Sequence, residues 1–552
     1  MVLSAKRRLQ RDQGILLGIQ GFVVFCLVLC IAWPVVGLLI KSLTPDGQLS
    51  LDYYRQIFTG RNIGLVSNSL KVALTSCIGS LVIAFFMDLY IYTAAPGAKS
   101  RMRTFQMLTL ISPPFVASIA YIMLFGRRGL ITYGLFGLSV SPYGFIGIVT
   151  LQIIGSASFA AMMLYPSFEA IDQRLIQAAL DLGAKSGVVL RKVILPSVKP
   201  GLLSVGFMLF SLFLADFGTP VVIGGSYKVL ASQAYIEVIS YANIGKASAI
   251  CALMFPVALA SFLFYIKSLK ATRASLGIKT ADSSTPFHLD GPIGFLGKFF
   301  FWGFVVVIAL KYFNIVLSAV TTNSSGHLEF SDYAIKNLGR KWVPSLINSF
   351  VYCAIAALGS VCLGILLSWF SHMKNSALME GCEFIASLPY AIPGAFFGLA
   401  YVVAFSGAPF SLQGTAAIVI LNLMFRQVSR ADQLAGAQFC TMDQNLDKAV
   451  ADLGCSRLVA LIKIYLPSQL SSFIYSFIAI FTSSLTSVGA VIFLVAPSTN
   501  LASVQLFNCI TDGEYGIASV MSIILILGAL LINIPFIRMQ KADNYGKNYS
   551  SN

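Results

Sequence analysis

Ala178, Asp181, Leu182 and Gly183, followed about twelve residues later by Leu195-Pro196, recur as Ala449, Asp452, Leu453 and Gly454 followed by Leu466-Pro467. They belong to the stretch Ala170–Leu203, whose second copy is Thr441–Ile474 in the other half of the chain. Residues of these types at this spacing serve recognition rather than bond-breaking. Asp172-Gln173 and Asp443-Gln444 supply the polar start of a short helix. Leu175, Ala178, Ala179 and Leu182 then share one helix face, as do Leu446, Ala449, Val450 and Leu453. Gly183 and Gly454 are expected to end that helix in a left-handed conformation. A second amphipathic segment follows, and Pro196 or Pro467 is expected to break the chain before the next apolar run. The product is a small-residue knob suited to a groove on a partner. The plainer alternative is a connector present twice because the gene duplicated, but passive connectors are short and this one is long.

Other chemistry is sparse. No G-x-x-x-x-G-K-[ST] occurs, so the chain has no phosphate-cradling loop of that type. No HExxH or nucleophile elbow is present, and there are only three histidines. The ten cysteines form no CxxC pair and fall mostly in apolar runs, with Cys509 outside them. This pattern favours buried packing over metal ligation or a disulfide framework. Asp216 falls in the outer part of the fifth apolar run, where an ionised group needs a reason. By the repeat its counterpart is Ser487, and Gly218 pairs with Gly489; Ser484 lies in the same polar-speckled segment. Two readings stand side by side: a translocation path lined by Asp216, Gly218, Ser484, Ser487 and Gly489, or an aspartate satisfied by its neighbours. Lys311 is expected to snorkel or pair internally, and Asp88 to reach the interface.

These residues must be positioned by membrane helices. Of 552 residues 57% are hydrophobic and 11% charged, too few charges to cover a soluble fold. Apolar runs predict about twelve transmembrane helices, near 16–40, 68–93, 104–125, 144–165, 201–224, 247–267, 297–319, 347–370, 382–405, 413–429, 469–496 and 515–537. The net charge of +16 reads as positive-inside bias rather than nucleic-acid binding. With the N-terminus inside, inside loops hold about 26 of the 38 Lys and Arg and outside loops about 9, which puts both termini in the cytoplasm. The basic N-terminus precedes an apolar run too long for a signal peptide, so it reads as an uncleaved first helix.

Further features repeat at a slightly larger offset than the loops. Asn68-Ser69 matches Asn348-Ser349, and Gly79-Ser80 matches Gly359-Ser360. Ser112-Pro113-Pro114 with Ala120-Tyr121 matches Ile392-Pro393-Gly394 with Ala400-Tyr401. Six helices per half make the repeats parallel. The fold expected is all-α and polytopic: residues 1–267 form one module, 268–296 a cytoplasmic linker and 297–552 a second, pseudo-symmetric module. Pro113-Pro114, Pro389 and Pro393 are expected to bend the third and ninth helices, and the tail after Arg538 to fray.

The duplicated loop resembles the EAA motif of permease subunits of bacterial ABC importers, E-A-A-x-x-x-G followed by I-x-L-P. The first copy gives Gln177-Ala178-Ala179, Gly183 and Ile194-Leu195-Pro196; the second gives Lys448-Ala449-Val450, Gly454 and Tyr465-Leu466-Pro467. The acidic first position is thus Gln177 in one copy and Lys448 in the other, and the third position is Val450 in the second. With two such modules in one chain, the protein looks like the fused permeases of ferric-iron, thiamine and phosphonate importers. Ala215-Asp216-Phe217-Gly218-Thr219-Pro220, Ala490–Leu494 and Gly513-Glu514-Tyr515-Gly516 lean toward the iron type.

The resemblance implies a MetI-like type I permease fold in the bacterial cytoplasmic (inner) membrane, with no cofactor of its own. It implies two copies of an ABC ATPase subunit, which use ATP and Mg, docked on the two loops as coupling helices. It further implies a periplasmic or lipid-anchored solute-binding protein. Ferric iron leads as cargo, ahead of phosphonate or another organophosphate, then thiamine or polyamine. The rival from another class is an ion-coupled secondary transporter, which would need buried acids and no ATPase; a membrane enzyme is a third option, opposed by the lack of catalytic groups.

Overall fold

The computed structural model describes residues 2–59, 63–109, 115–126, 129–137, 141–276, 291–324, 327–374, 377–407, 411–442 and 445–549. Residues 277–290 of the expected linker, Asp443-Gln444 and Ser112-Pro113-Pro114 lie outside the described residues. In lipid every backbone N–H and C=O needs a partner within its own segment, so the apolar runs form helices. Eight described helices are long and apolar enough to cross a membrane: Gln10–Leu43, Gly64–Tyr92, Phe145–Glu169, Ser186–Ala215, Ile244–Ser268, Pro292–Val320, Trp342–His372 and Tyr515–Ile532. Two bent helix pairs are long and apolar enough only when taken together, Leu378–Ala391 with Gly394–Phe405 (113°) and Arg457–Ser468 with Leu470–Leu485 (64°). The remaining two expected positions hold the short helix Val116–Phe125 and the more polar Ala416–Cys440. Among the described residues the only strands are a small antiparallel pair, Thr321–Ser324 with His327–Phe330.

The repeat is built into the packing. Ser69 Oγ accepts from Leu230 N at 2.7 Å, and Ser349 Oγ accepts from Ala502 N at 2.7 Å. Asn68 Nδ2 donates to Lys228 O at 3.1 Å, and Asn348 Nδ2 donates to Ser498 O at 3.1 Å. Gly79 lies against Ile153 as Gly359 lies against Met424. Each glycine lets two helices approach where any side chain would collide. Gly364 sits at a further tight crossing, facing the Ala431 Cβ and the Asp432 backbone nitrogen. Gly364→Leu should therefore destabilise the protein by about 1–3 kcal/mol or more, read as loss of a monodisperse peak after detergent extraction.

The compact units do not coincide with the sequence halves. One comprises Met1–Ser50, Arg340–Gln505 and Leu527–Asn552; within it the helix Trp33–Leu43 packs on Gly394–Phe405, and Tyr401 Oη donates to Cys30 O at 2.7 Å. The other comprises Leu51–Gly339 and Leu506–Ile526; within it Pro292–Val320 packs on Gly64–Tyr92, with Phe86 stacked on Phe300 at 5.4 Å.

Several expectations are corrected. The fifth span ends at Ala215, not 224: Asp216 leaves the helix with extended backbone and a separate short helix, Gly218–Ile223, follows. The eleventh ends at Leu485, not 496. The tail after Arg538 stays helical to Tyr549. Asp88 does not reach an interface; it is fully buried, with Gln106 Nε2 donating to it at 3.3 Å. Lys311 does not snorkel but takes the other course expected of it, an internal partner: it is buried, its ammonium 4.5 Å from the Tyr312 ring centroid. Cys509 lies inside the short helix Ala502–Thr511, buried. Pro393 stands at the 113° bend as expected.

Candidate functional site: two equivalent loops

Asp172 caps the helix Gln173–Asp181, accepting from Arg174 N at 2.9 Å. In the second copy the matching helix is Asn445–Asp452. Both helices end as glycine dictates: Gly183 has φ +75° and Gly454 φ +63°, a region closed to most side chains. Beyond them the chain doubles back. Ala184 N donates to Ala179 O at 3.0 Å and Cys455 N to Val450 O at 3.1 Å, the bond pattern of a Schellman cap.

The expected apolar face divides in two. Ala179 packs on a core cluster with Ile176, and Val450 is buried. Leu175, Ala178, Ala449 and Leu453 face outward, with Leu446 partly so. Leu182 is 88% exposed and Leu453 84% exposed. Gln177 is partly buried, whereas Asp181, Lys448 and Asp452 are exposed. The loops thus carry their alanine and leucine side chains on an uncovered surface, at equivalent places.

The prolines do not break the chain. Leu190–Ile194 and Leu461–Tyr465 each form a π-turn immediately before Leu195-Pro196 and Leu466-Pro467. The wider turn accommodates the missing N–H and the ring. Leu195, Pro196, Leu466 and Pro467 remain exposed at this junction. In the first copy Ser186–Ala215 therefore runs on as one span. In the second the break comes two residues after Pro467, at Gln469, where Leu470–Leu485 starts at a 64° angle.

Each loop is also braced. In one unit Ile293, at the start of Pro292–Val320, packs against the cluster containing Val189 and Ile194. In the other, Ser456 Oγ donates to the Asp12 carboxylate while accepting from Val459 N at 3.3 Å. Ser456→Ala removes both bonds and should lower stability by about 1 kcal/mol, measured as a drop in thermal midpoint that Asp12→Ala reproduces in part.

Asp216 is satisfied locally. Gln152 Nε2 donates to its Oδ2 at 3.0 Å and Thr219 N to its Oδ1 at 3.2 Å, so it caps Gly218–Ile223. Gly218 is buried and meets the Phe115 ring. In the other unit, Ser484 is buried with its Oγ unpartnered. Ser487 N donates to Ser484 O at 3.1 Å, and Gly489 follows in a stretch of turns to which Gly398 packs closely.

The sequence reading singled out Ser484 but not the row it belongs to. Gln469, Ser472, Ser476 and Ser484 lie at helical spacing, buried, with hydrogen-bonding groups unmade. Their counterparts in the first copy are Val198, Gly201, Val205 and Phe213, and the three apolar ones pack in a hydrophobic cluster. Aligning the two copies position by position would have exposed this difference.

Residues 80–273 match the family described as binding-protein-dependent transport system inner membrane component. The chain is a polytopic permease of the binding-protein-dependent ABC importer class. It is 27% identical over 551 residues to the ferric transport system permease protein FbpB of Actinobacillus pleuropneumoniae, covering 96% of this chain and 79% of that protein. It is 26% identical over 547 residues to the putative ferric transport system permease protein FbpB 1 of Haemophilus influenzae, covering 93% and 85%. A bacterial alginate importer structure aligns with 49% of this chain and 98% of its own, at 16% identity and a TM-score of 0.40.

Proposed function

We propose that this chain is the membrane permease of a ferric-iron importer in the bacterial cytoplasmic membrane, both termini cytoplasmic. Two ATPase copies dock on it, one on Gln173–Asp181 and one on Asn445–Asp452. A periplasmic or lipid-anchored binding protein delivers the cargo. The sequence modules 1–267 and 297–552, joined through 268–296, supply one docking helix each.

The observation that carries the docking reading is the repeated leucine. Leu182 and Leu453 stand almost fully exposed beside left-handed glycines at equivalent places. An apolar tip held by a left-handed turn, twice, fits a partner's groove better than it fits a connector. ATP-driven closure of the ATPases draws the two helices along. The first motion passes directly into Ser186–Ala215, which continues from its loop without a break. The second passes through the bend at Gln469. The spans then open outward, accept the cargo and return after hydrolysis. Asp216, Gly218, Ser484, Ser487 and Gly489 are the residues assigned to the path.

Ferric iron as cargo is supported by similarity, over nearly the whole chain, to proteins named as ferric transport permeases. The test is uptake of radiolabelled ferric iron by iron-starved cells. Deletion of this chain should reduce uptake at least tenfold, and its return should restore it. Unchanged uptake, in cells with no second iron route, would rule iron out as the main cargo.

A further inference from the structure

The helix Ala416–Cys440 holds a partly buried arginine, Arg426, that no carboxylate among the described residues pairs with. Arg426 lies at the bend between Leu378–Ala391 and Gly394–Phe405: a Cβ added at Gly394 would collide with its Nη1 and come within 3.1 Å of its Cζ and Nη2. Nη1 is shut off from solvent and has no hydrogen-bond partner. One helical turn earlier, Asn422 is fully buried, and neither its amide nitrogen nor its oxygen has a partner.

Gly394 opens a helix of 12 residues, and a helix N-terminus carries partial positive charge and unused N–H groups. Guanidinium and helix end have the same sign. Their closeness is unfavourable until a negative charge joins them. A charge held among apolar helices is costly, which marks such a residue as functional. The fold itself does not demand the arrangement. In the first half, at the offset that relates the two loops, Gly155 stands at the position of Arg426 with open space around it, and Leu151 at that of Asn422.

We propose that Arg426, Asn422 and the first turn of Gly394–Phe405 form a binding site for a small oxyanion, of the phosphate, sulfate or carboxylate class. The guanidinium offers the paired N–H groups that match such anions, the Asn422 amide adds a donor, and the helix N-terminus adds backbone N–H groups. Gly394 leaves the room that any side chain would fill. The site rests on this geometry and not on the identity of the cargo, so it stands or falls separately from the iron reading.

The test uses the full-length chain in phosphatidylcholine nanodiscs, titrated with inorganic phosphate, sulfate and citrate by calorimetry. At least one should bind saturably, with at least a tenfold loss of affinity in Arg426→Gln and much of it retained in Arg426→Lys. Gly394→Ala, which crowds the site but keeps the guanidinium, should also weaken binding, and it decides the matter if Arg426→Gln does not fold. Absence of saturable binding by all three anions would overturn the proposal. So would unchanged affinity in Arg426→Gln or, where that variant does not fold, in Gly394→Ala.

Discussion

Cells carrying Leu182→Glu together with Leu453→Glu should accumulate no more cargo than cells lacking the chain, and the ATPase should no longer co-purify. Both leucines are more than four-fifths exposed, so the substitutions remove nothing from the core and should leave the protein folded in the membrane. Seating one leucine in a partner's groove is worth about 1.5–3 kcal/mol, and a carboxylate carried into that groove adds a desolvation cost. Two sites together reach about 3–6 kcal/mol, a weakening of ATPase association on the order of a hundredfold to ten-thousandfold. The single substitutions should fall between, and they need not be equal. The two loops differ at Gln177 and Lys448, and their routes into the membrane differ at Gln469.

Gly183→Val with Gly454→Val should also bring uptake to background, by another route. At φ +75° and +63° a β-branched residue is forced out of the left-handed region at a cost of roughly 1–2 kcal/mol per site. The cap bonds from Ala184 and Cys455 would be lost as the helix end unwinds, swinging Leu182 and Leu453 away from their orientation. Asparagine tolerates the left-handed region, so Gly183→Asn with Gly454→Asn should keep more than half of wild-type uptake. Equal loss in the valine and asparagine pairs would show that side-chain bulk, not backbone conformation, matters at these positions.

Much of this was legible in the sequence. Length and hydropathy place the spans, and the paired A-x-x-D-L-G segments locate both loop helices and their glycine caps. The prolines misled because L-P looks the same whether the chain breaks or a π-turn absorbs the ring. The outcome depends on the turn before the proline, which carries no residue signature in Leu190–Ile194 or Leu461–Tyr465. Hydropathy carried the fifth span through Asp216, although the aspartate ends it by capping the next helix. Asp88 sits near the end of its run, and only the tertiary structure shows Gln106 covering it. Arg426 lies inside the run 413–429 but was not singled out there, and the unpartnered state of its Nη1 is a property of the packed unit alone.

The most direct measurement is the mass of the complex purified through a tag on this chain, by native mass spectrometry from membranes grown under iron starvation. Two ATPase copies per chain are predicted for wild type, and none for the Leu182→Glu, Leu453→Glu pair. A wild-type complex with no ATPase, or two copies still bound to the double variant, would contradict docking on these loops.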